Sequence, residues 1–80
     1  MTMPRLRLFG PAAQAAGTHA DTVSSVTVAD TLARATERYG PAFADVVPHC
    51  RVWVNGEAAT ADTPVGDDDE VALLPPVSGG

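Results

Sequence analysis

Glu70-Val71-Ala72-Leu73-Leu74-Pro75-Pro76-Val77-Ser78-Gly79-Gly80 closes the sequence and decides how the rest is read. Glu70 to Leu74 is a strand that hands directly to a tail. Pro75 and Pro76 stiffen the root of that tail as polyproline II, which rises about 3.1 Å per residue. The six residues from Pro75 to Gly80 then reach on the order of 20 Å from the domain. Gly79 and Gly80 supply a tip without a Cβ, able to slide down a channel too narrow for any other residue. At pH 7 the terminal carboxylate is ionised, its reference pKa being about 3.3–3.7. It is an oxygen nucleophile on a tether, whereas ordinary frayed termini carry no chemistry.

Upstream of this strand, Asp67-Asp68-Asp69 reads as a solvated loop and Thr63-Pro64-Val65-Gly66 as a turn. Asn55-Gly56 is a strong hairpin signal, because both residues tolerate positive φ. It joins a strand over Cys50 to Val54 to a short return strand at about Glu57 to Ala59. At the other end, Arg5-Leu6-Arg7-Leu8-Phe9 alternates with period two. Gly10-Pro11 ends that strand, and an alanine-rich helix follows over Pro11 to Ala16, stopped by Gly17. Thr22 to Val26 predicts a second strand. Thr27 reads as an N-cap with Asp30 in the first turn. Val28, Leu32, Ala35 and Tyr39 then form one apolar stripe, with Asp30 and Arg34 paired on the polar side. Gly40-Pro41 ends the helix, and Ala42 to Val47 holds one more turn closed by Pro48.

The order is strand, short helix, strand, long helix and three strands. That is an α+β pattern: a mixed sheet of about five strands with one main helix and one short helix. It suits the β-grasp arrangement, whose first and last strands lie side by side and parallel; periodicity alone does not give that adjacency. Residues 1–74 form the expected domain and 75–80 a flexible tail. No repeat or linker marks a second domain.

A formal net charge of -5 argues against a nucleic-acid or anionic-membrane surface. No apolar run approaches the ~20 residues needed to span a bilayer. Met1-Thr2-Met3-Pro4-Arg5 leads into a strand rather than a signal peptide, so a cytoplasmic location is expected. Cys50 is the lone cysteine and cannot form an internal disulfide. At a strand start it reads as a small packed hydrophobe. His19 and His49 lack ligand spacing, and Asp67, Asp68, Asp69 and Glu70 lack calcium-loop spacing. No metal and no bound cofactor is expected. All five basic residues are arginine. Without a lysine, this chain cannot be linked to copies of itself through a side-chain amine.

Val52-Trp53-Val54-Asn55-Gly56-Glu57, Asp69-Glu70-Val71-Ala72-Leu73-Leu74 and the Pro-Pro-Val-Ser-Gly-Gly ending together resemble the ubiquitin-like sulfur carriers. The proline pair before a small residue and Gly-Gly is most similar to the molybdopterin synthase small-subunit branch. Members often carry an arginine and an acidic residue in the first short helix; Ala12-Ala13-Gln14-Ala15-Ala16 has neither. The resemblance implies that an adenylating enzyme places Gly80 against ATP and forms an acyl-adenylate. A persulfide sulfur then displaces AMP and leaves a thiocarboxylate at Gly80. It implies two partners, that activating enzyme and the molybdopterin synthase large subunit or another sulfur acceptor. Pro75, Pro76, Val77, Ser78 and Gly79 would form the inserted tail.

Alternation places Leu6, Leu8, Val52, Val54, Val71 and Leu73 toward the helix. It places Arg5, Arg7, Phe9, Arg51, Trp53, Ala72 and Leu74 on the opposite face. With β-grasp strand order, Phe9, Trp53 and Leu74 are expected to form an exposed apolar patch beside the tail root, rimmed by Arg5, Arg7 and Arg51. In the resembling family, positions matching Phe9, Ala58 and Leu74 lie in the partner-binding surface. Isolated surface apolar residues are the plain alternative. Other sulfur pathways (thiazole, cysteine, tRNA thiolation, secondary metabolites) and a modifier or binding module without sulfur chemistry are the competing readings.

Overall fold

A computed structural model describes residues 2–75. Asn55 and Gly56 both take positive φ, 53° and 83°. This left-handed pair matches the twist of a tight hairpin, so β3 (Arg51–Val54) folds back on β4 (Glu57–Ala58). At the N-terminal end, β1 (Arg5–Leu8) pairs antiparallel with β2 (Ala20–Thr22). The last strand, β5 (Glu70–Leu74), enters between the two ribbons, giving the order β2-β1-β5-β3-β4. It runs parallel to β1, with Leu8 opposite Leu73, and antiparallel to β3, with Val52 opposite Leu73. This is the β-grasp fold.

Among the described residues three α-helices accompany the sheet: α1 (Pro11–Ala16), α2 (Val28–Tyr39) and α3 (Pro41–Val46). Leu6, Leu8, Val71 and Leu73 are fully buried, in a core with Val28, Ala35, Ala12 and Phe43. Burying each large side chain contributes about 1.5–3 kcal/mol. Thr31 is also fully buried, and its hydroxyl is satisfied by the Thr27 carbonyl at 2.8 Å and the Ser25 hydroxyl at 2.7 Å.

The second strand lies earlier than expected, and Pro4 explains where its ladder fades. Val23 and Ser25 donate to the carbonyls of Pro4 and Thr2 at 3.2 and 3.0 Å. Pro4 has no N–H to return, so regular pairing stops at Thr22. Val23 is buried, while Val26 is 60% exposed. Pro48 does not close the extra helical turn. It sits early in a 3₁₀ turn, Val47–His49, where a missing N–H costs nothing.

Residues 61–66 do more than turn. The first amides of α2 need acceptors. Val28 donates to the Thr63 carbonyl and Ala29 to the Ala61 carbonyl, both at 2.9 Å; Asp30 donates to Thr27 Oγ1 at 3.1 Å. Val65 is buried and donates to the Val26 carbonyl at 3.0 Å. The aspartate run is likewise bonded as well as solvated. Asp67 Oδ1 accepts from Met3 N–H at 2.7 Å. Asp69 accepts from Asn55 Nδ2 and Gly66 N–H, both at 2.8 Å, and Asn55 Oδ1 accepts from Glu70 N–H at 2.9 Å. The hairpin is thereby tied to the start of the central strand.

Candidate partner face and tail root

The sheet covers its core on one side only. On the other side the register writes out three cross-strand rows. Arg51 faces Leu74, and Phe9 follows Leu8 beside it, donating its N–H to the Leu73 carbonyl at 3.1 Å. The next row is Arg7, Ala72, Trp53 and Ala58. The third is Arg5 and Glu70. Phe9, Trp53, Ala58, Leu74, Arg5, Arg7 and Arg51 therefore share one surface.

Phe9 is 39% exposed, while Trp53, Ala72 and Leu74 are half-buried. The patch is shallower than alternation suggests, because Trp53 and Leu74 stand on interior strands with neighbours on both sides. Ala58, Arg5, Arg7 and Arg51 are exposed. The Arg7 guanidinium lies 5.9 Å from the Phe9 ring centroid, a cation–π contact at an exposed site. Glu70 Oε2 is 4.0 Å from Arg5 Nε and 3.9 Å from Arg7 Nη1. Such long, solvated pairs contribute little and are easily exchanged for a partner's carboxylate. Glu70 opens β5 next to the acidic loop, and the parallel register sets it between the two arginines.

β5 hands to Pro75 at the edge of this face. The next bond of the β1–β5 ladder would come from the N–H of residue 75, and proline has none. Pro75 is exposed, and its ring lies against Gly10. Pro76, Val77, Ser78, Gly79 and Gly80 fall outside the described residues.

Elsewhere, burial pushes the Cys50 thiol up, and its Sγ lies 3.4 Å from the Val46 carbonyl. A thiol kept protonated is a poor nucleophile. Among the described residues no cluster of His, Cys, Asp and Glu is placed to hold a metal ion. No helix among them is long and apolar enough to cross a membrane.

Comparison with known proteins places this geometry among relatives. The model of the ThiS family matches residues 6–80. Small archaeal modifier protein 1 from Haloferax volcanii is 34% identical, with 98% of this chain and 99% of that chain covered, at a TM-score of 0.84. The same modifier from Methanosarcina acetivorans is 30% identical, with 100% and 98% covered, at a TM-score of 0.89. One chain of the complex of subunits 1 and 2 of the molybdopterin-converting factor from Helicobacter pylori is 25% identical. There 98% and 99% are covered, and the TM-score is 0.69. Among curated proteins none matches this chain.

Proposed function

The chain belongs to the ThiS family of ubiquitin-like sulfur carriers and modifiers, and from that premise we propose that Gly80 carries sulfur as a C-terminal thiocarboxylate for molybdopterin synthesis. The chemistry needs no side chain of this protein. The Gly80 carboxylate attacks the α-phosphate of ATP on an activating enzyme, and pyrophosphate leaves. A persulfide sulfur then attacks the acyl carbon and AMP leaves. A second thiol cleaves the resulting acyl disulfide, releasing the thiocarboxylate and a disulfide. In a synthase the tail enters the large subunit and gives its sulfur to a pterin precursor. ATP is consumed by the activating enzyme, and the carrier holds no cofactor of its own. In this reading residues 1–74 are the docking domain, 75–80 the inserted tail, and the compartment is the cytoplasm.

One observation carries the proposal. The central strand ends at Leu74, in the row of Phe9 and Arg51, and hands to Pro75, so a protein seated on the outer face meets the root of the tail. The Helicobacter pylori relative is described in complex with its second subunit, which supports a partner of that kind. The test is intact mass. With the chain's cognate activating enzyme, ATP and a persulfide donor, the ionised carboxylate should gain about 16 Da as sulfur replaces oxygen. An unchanged mass under those conditions excludes the carrier reading.

A second reading has its own support. Identity is higher to the small archaeal modifier proteins, at 34% and 30%, than to the molybdopterin-converting factor subunit, at 25%. The tail would then be attached to lysines of other proteins, singly, since this chain offers no lysine to extend. Carriers feeding thiazole, cysteine, tRNA thiolation or another sulfur-containing product share the first stage and differ only in acceptor. Adding the thiocarboxylated chain to a molybdopterin synthase large subunit and its pterin precursor separates these cases. Sulfur transfer supports the first reading, and isopeptide-linked products without transfer support the second.

A further inference from the structure

An open sheet ends in two edges, and each presents backbone N–H and C=O groups that another strand can take. Here the edges are β2 and β4. β4 is only Glu57–Ala58, too short to template a partner. β2 is longer, and its bonding can be followed group by group. Leu8 donates to the His19 carbonyl and Val23 to the Pro4 carbonyl, with Leu6 opposite Asp21 between them. Antiparallel bonding alternates, so His19, Asp21 and Val23 turn their backbone groups toward β1 and its N-terminal extension. Ala20 and Thr22 turn theirs to the open side, and both residues are exposed. All four of those outward groups are already bonded to side chains of the same molecule. Thr18 Oγ1 donates to the Ala20 carbonyl at 3.0 Å and accepts from Ala20 N–H at 3.4 Å. Asp21 Oδ1 accepts from Thr22 N–H at 2.8 Å, and Arg38 Nη1 donates to the Thr22 carbonyl at 2.8 Å. Arg38 comes from the last turn of α2, and Asp21 Oδ2 accepts from that same Nη1 at 2.8 Å. Asp21 therefore serves both groups of Thr22, one directly and one by placing Arg38.

We propose that Thr18, Asp21 and Arg38 form a lock on the β2 edge that keeps a second copy of this chain from extending the sheet. The excluded occupant is a copy because of where β2 puts its charge. In an antiparallel pair of β2 edges related by a two-fold axis, Ala20 exchanges both bonds with Thr22 of the copy, and Asp21 falls opposite Asp21. Like charges facing each other across strands are unfavourable. Asp21 opposes pairing twice, through the bonds it makes in the free chain and through the charge it would meet. The lock is independent of the sulfur chemistry and holds whether or not Gly80 takes up sulfur.

Asp21→Ala combined with Thr18→Val removes the lock. Adding Thr22→Pro takes away an outward N–H that the ladder to β1 does not use. Sedimentation velocity over a concentration series reads the association, and thermal melts check that each variant is folded. The native chain should stay monomeric up to about 1 mM, and the double variant should dimerise at least ~10-fold more tightly. In that dimer the Ala20 and Thr22 amides should gain protection from hydrogen exchange, and Thr22→Pro should restore the monomer. A folded double variant that remains monomeric overturns the proposal. So does a dimer that Thr22→Pro leaves intact, or a native chain that dimerises through β2. Should the double variant not fold, the native chain decides. Its Thr22 amide, without a backbone acceptor in the ladder, should exchange several-fold more slowly than in a peptide spanning residues 17–26. Exchange at the peptide's rate overturns the proposal.

Discussion

Phe9 and Leu74 lie side by side at the root of the tail, one exposed and one half-buried. An aspartate at either site must be desolvated when a partner covers the face. Phe9→Asp should weaken binding to the activating enzyme by at least ~10-fold, about 1.4 kcal/mol, with little change in Tm. Leu74→Asp should show the same loss with a larger drop in Tm, because its side chain is already half-covered in the free domain. Calorimetric titration and thermal melts on the same samples check both. The faces of β1 and β5 were legible because burial alternates along both strands, whereas in β3 Val52, Trp53 and Val54 are all half-buried. Gly79→Val tests the tip in the same spirit: an unchanged Tm is expected with activation sharply reduced, because a Cβ enters the channel. Less legible were residues whose role depends on distant chain. Glu70 reads as the start of a strand, and the parallel register sets it between Arg5 and Arg7. Gly10 reads as a strand terminator, and the Pro75 ring lies against it.

Helix α2 shows how far local sequence carries. Its cap, its apolar stripe and its Asp30–Arg34 pair, 3.0 Å apart, all follow from spacing within the helix. Thr27→Ala should cost about 1 kcal/mol in urea unfolding, with affinity for partners unchanged. What spacing could not reveal is who serves the neighbouring amides. Ala61 and Thr63 do so from a segment that carries no periodic signal, and the buried Val65 hid in the same stretch. In the last turn of α2, Arg38 Nη1 donates to Asp21 Oδ2 at 2.8 Å, and the Tyr39 hydroxyl donates to the same carboxylate. Hydrogen bonds from Tyr39 and Arg38 hold the Asp21 carboxyl below its usual range. Burial, then the bond to Asp21, pushes the Tyr39 hydroxyl up to about 12. The signs differ. The Asp21 contribution is present above its unfolded pKa, near 4, and is lost as pH falls through its lower folded value. The Tyr39 contribution is present below its unfolded pKa of 10.0 and is lost as pH rises toward about 12. Asp21→Asn should flatten the acid limb of the stability–pH curve measured by urea unfolding and reduce the alkaline limb only in part, because burial is the larger cause at Tyr39.

Across the molecule, charge is sorted by face. Three of the five arginines, Arg5, Arg7 and Arg51, stand on the outer side of the sheet in a chain whose net charge is -5. Such an arrangement orients the domain toward an acidic partner before contact. Association with the activating enzyme should slow as salt rises, and replacing Arg51 by glutamine should reduce that salt dependence in stopped-flow measurements. The β-grasp class was visible in the order of elements, and the insertion of β5 between β1 and β3 followed from that class alone, since strand order is not written in hydrophobic period. That insertion also governs how the molecule answers a pull. Force applied through the tail runs along β5, so the ladders on both flanks are loaded in shear together rather than peeled apart one bond at a time. A machine that grips this chain by its last residues must therefore rupture the middle of the sheet before any edge yields, and its progress is governed by the unfolding rate, not by equilibrium stability.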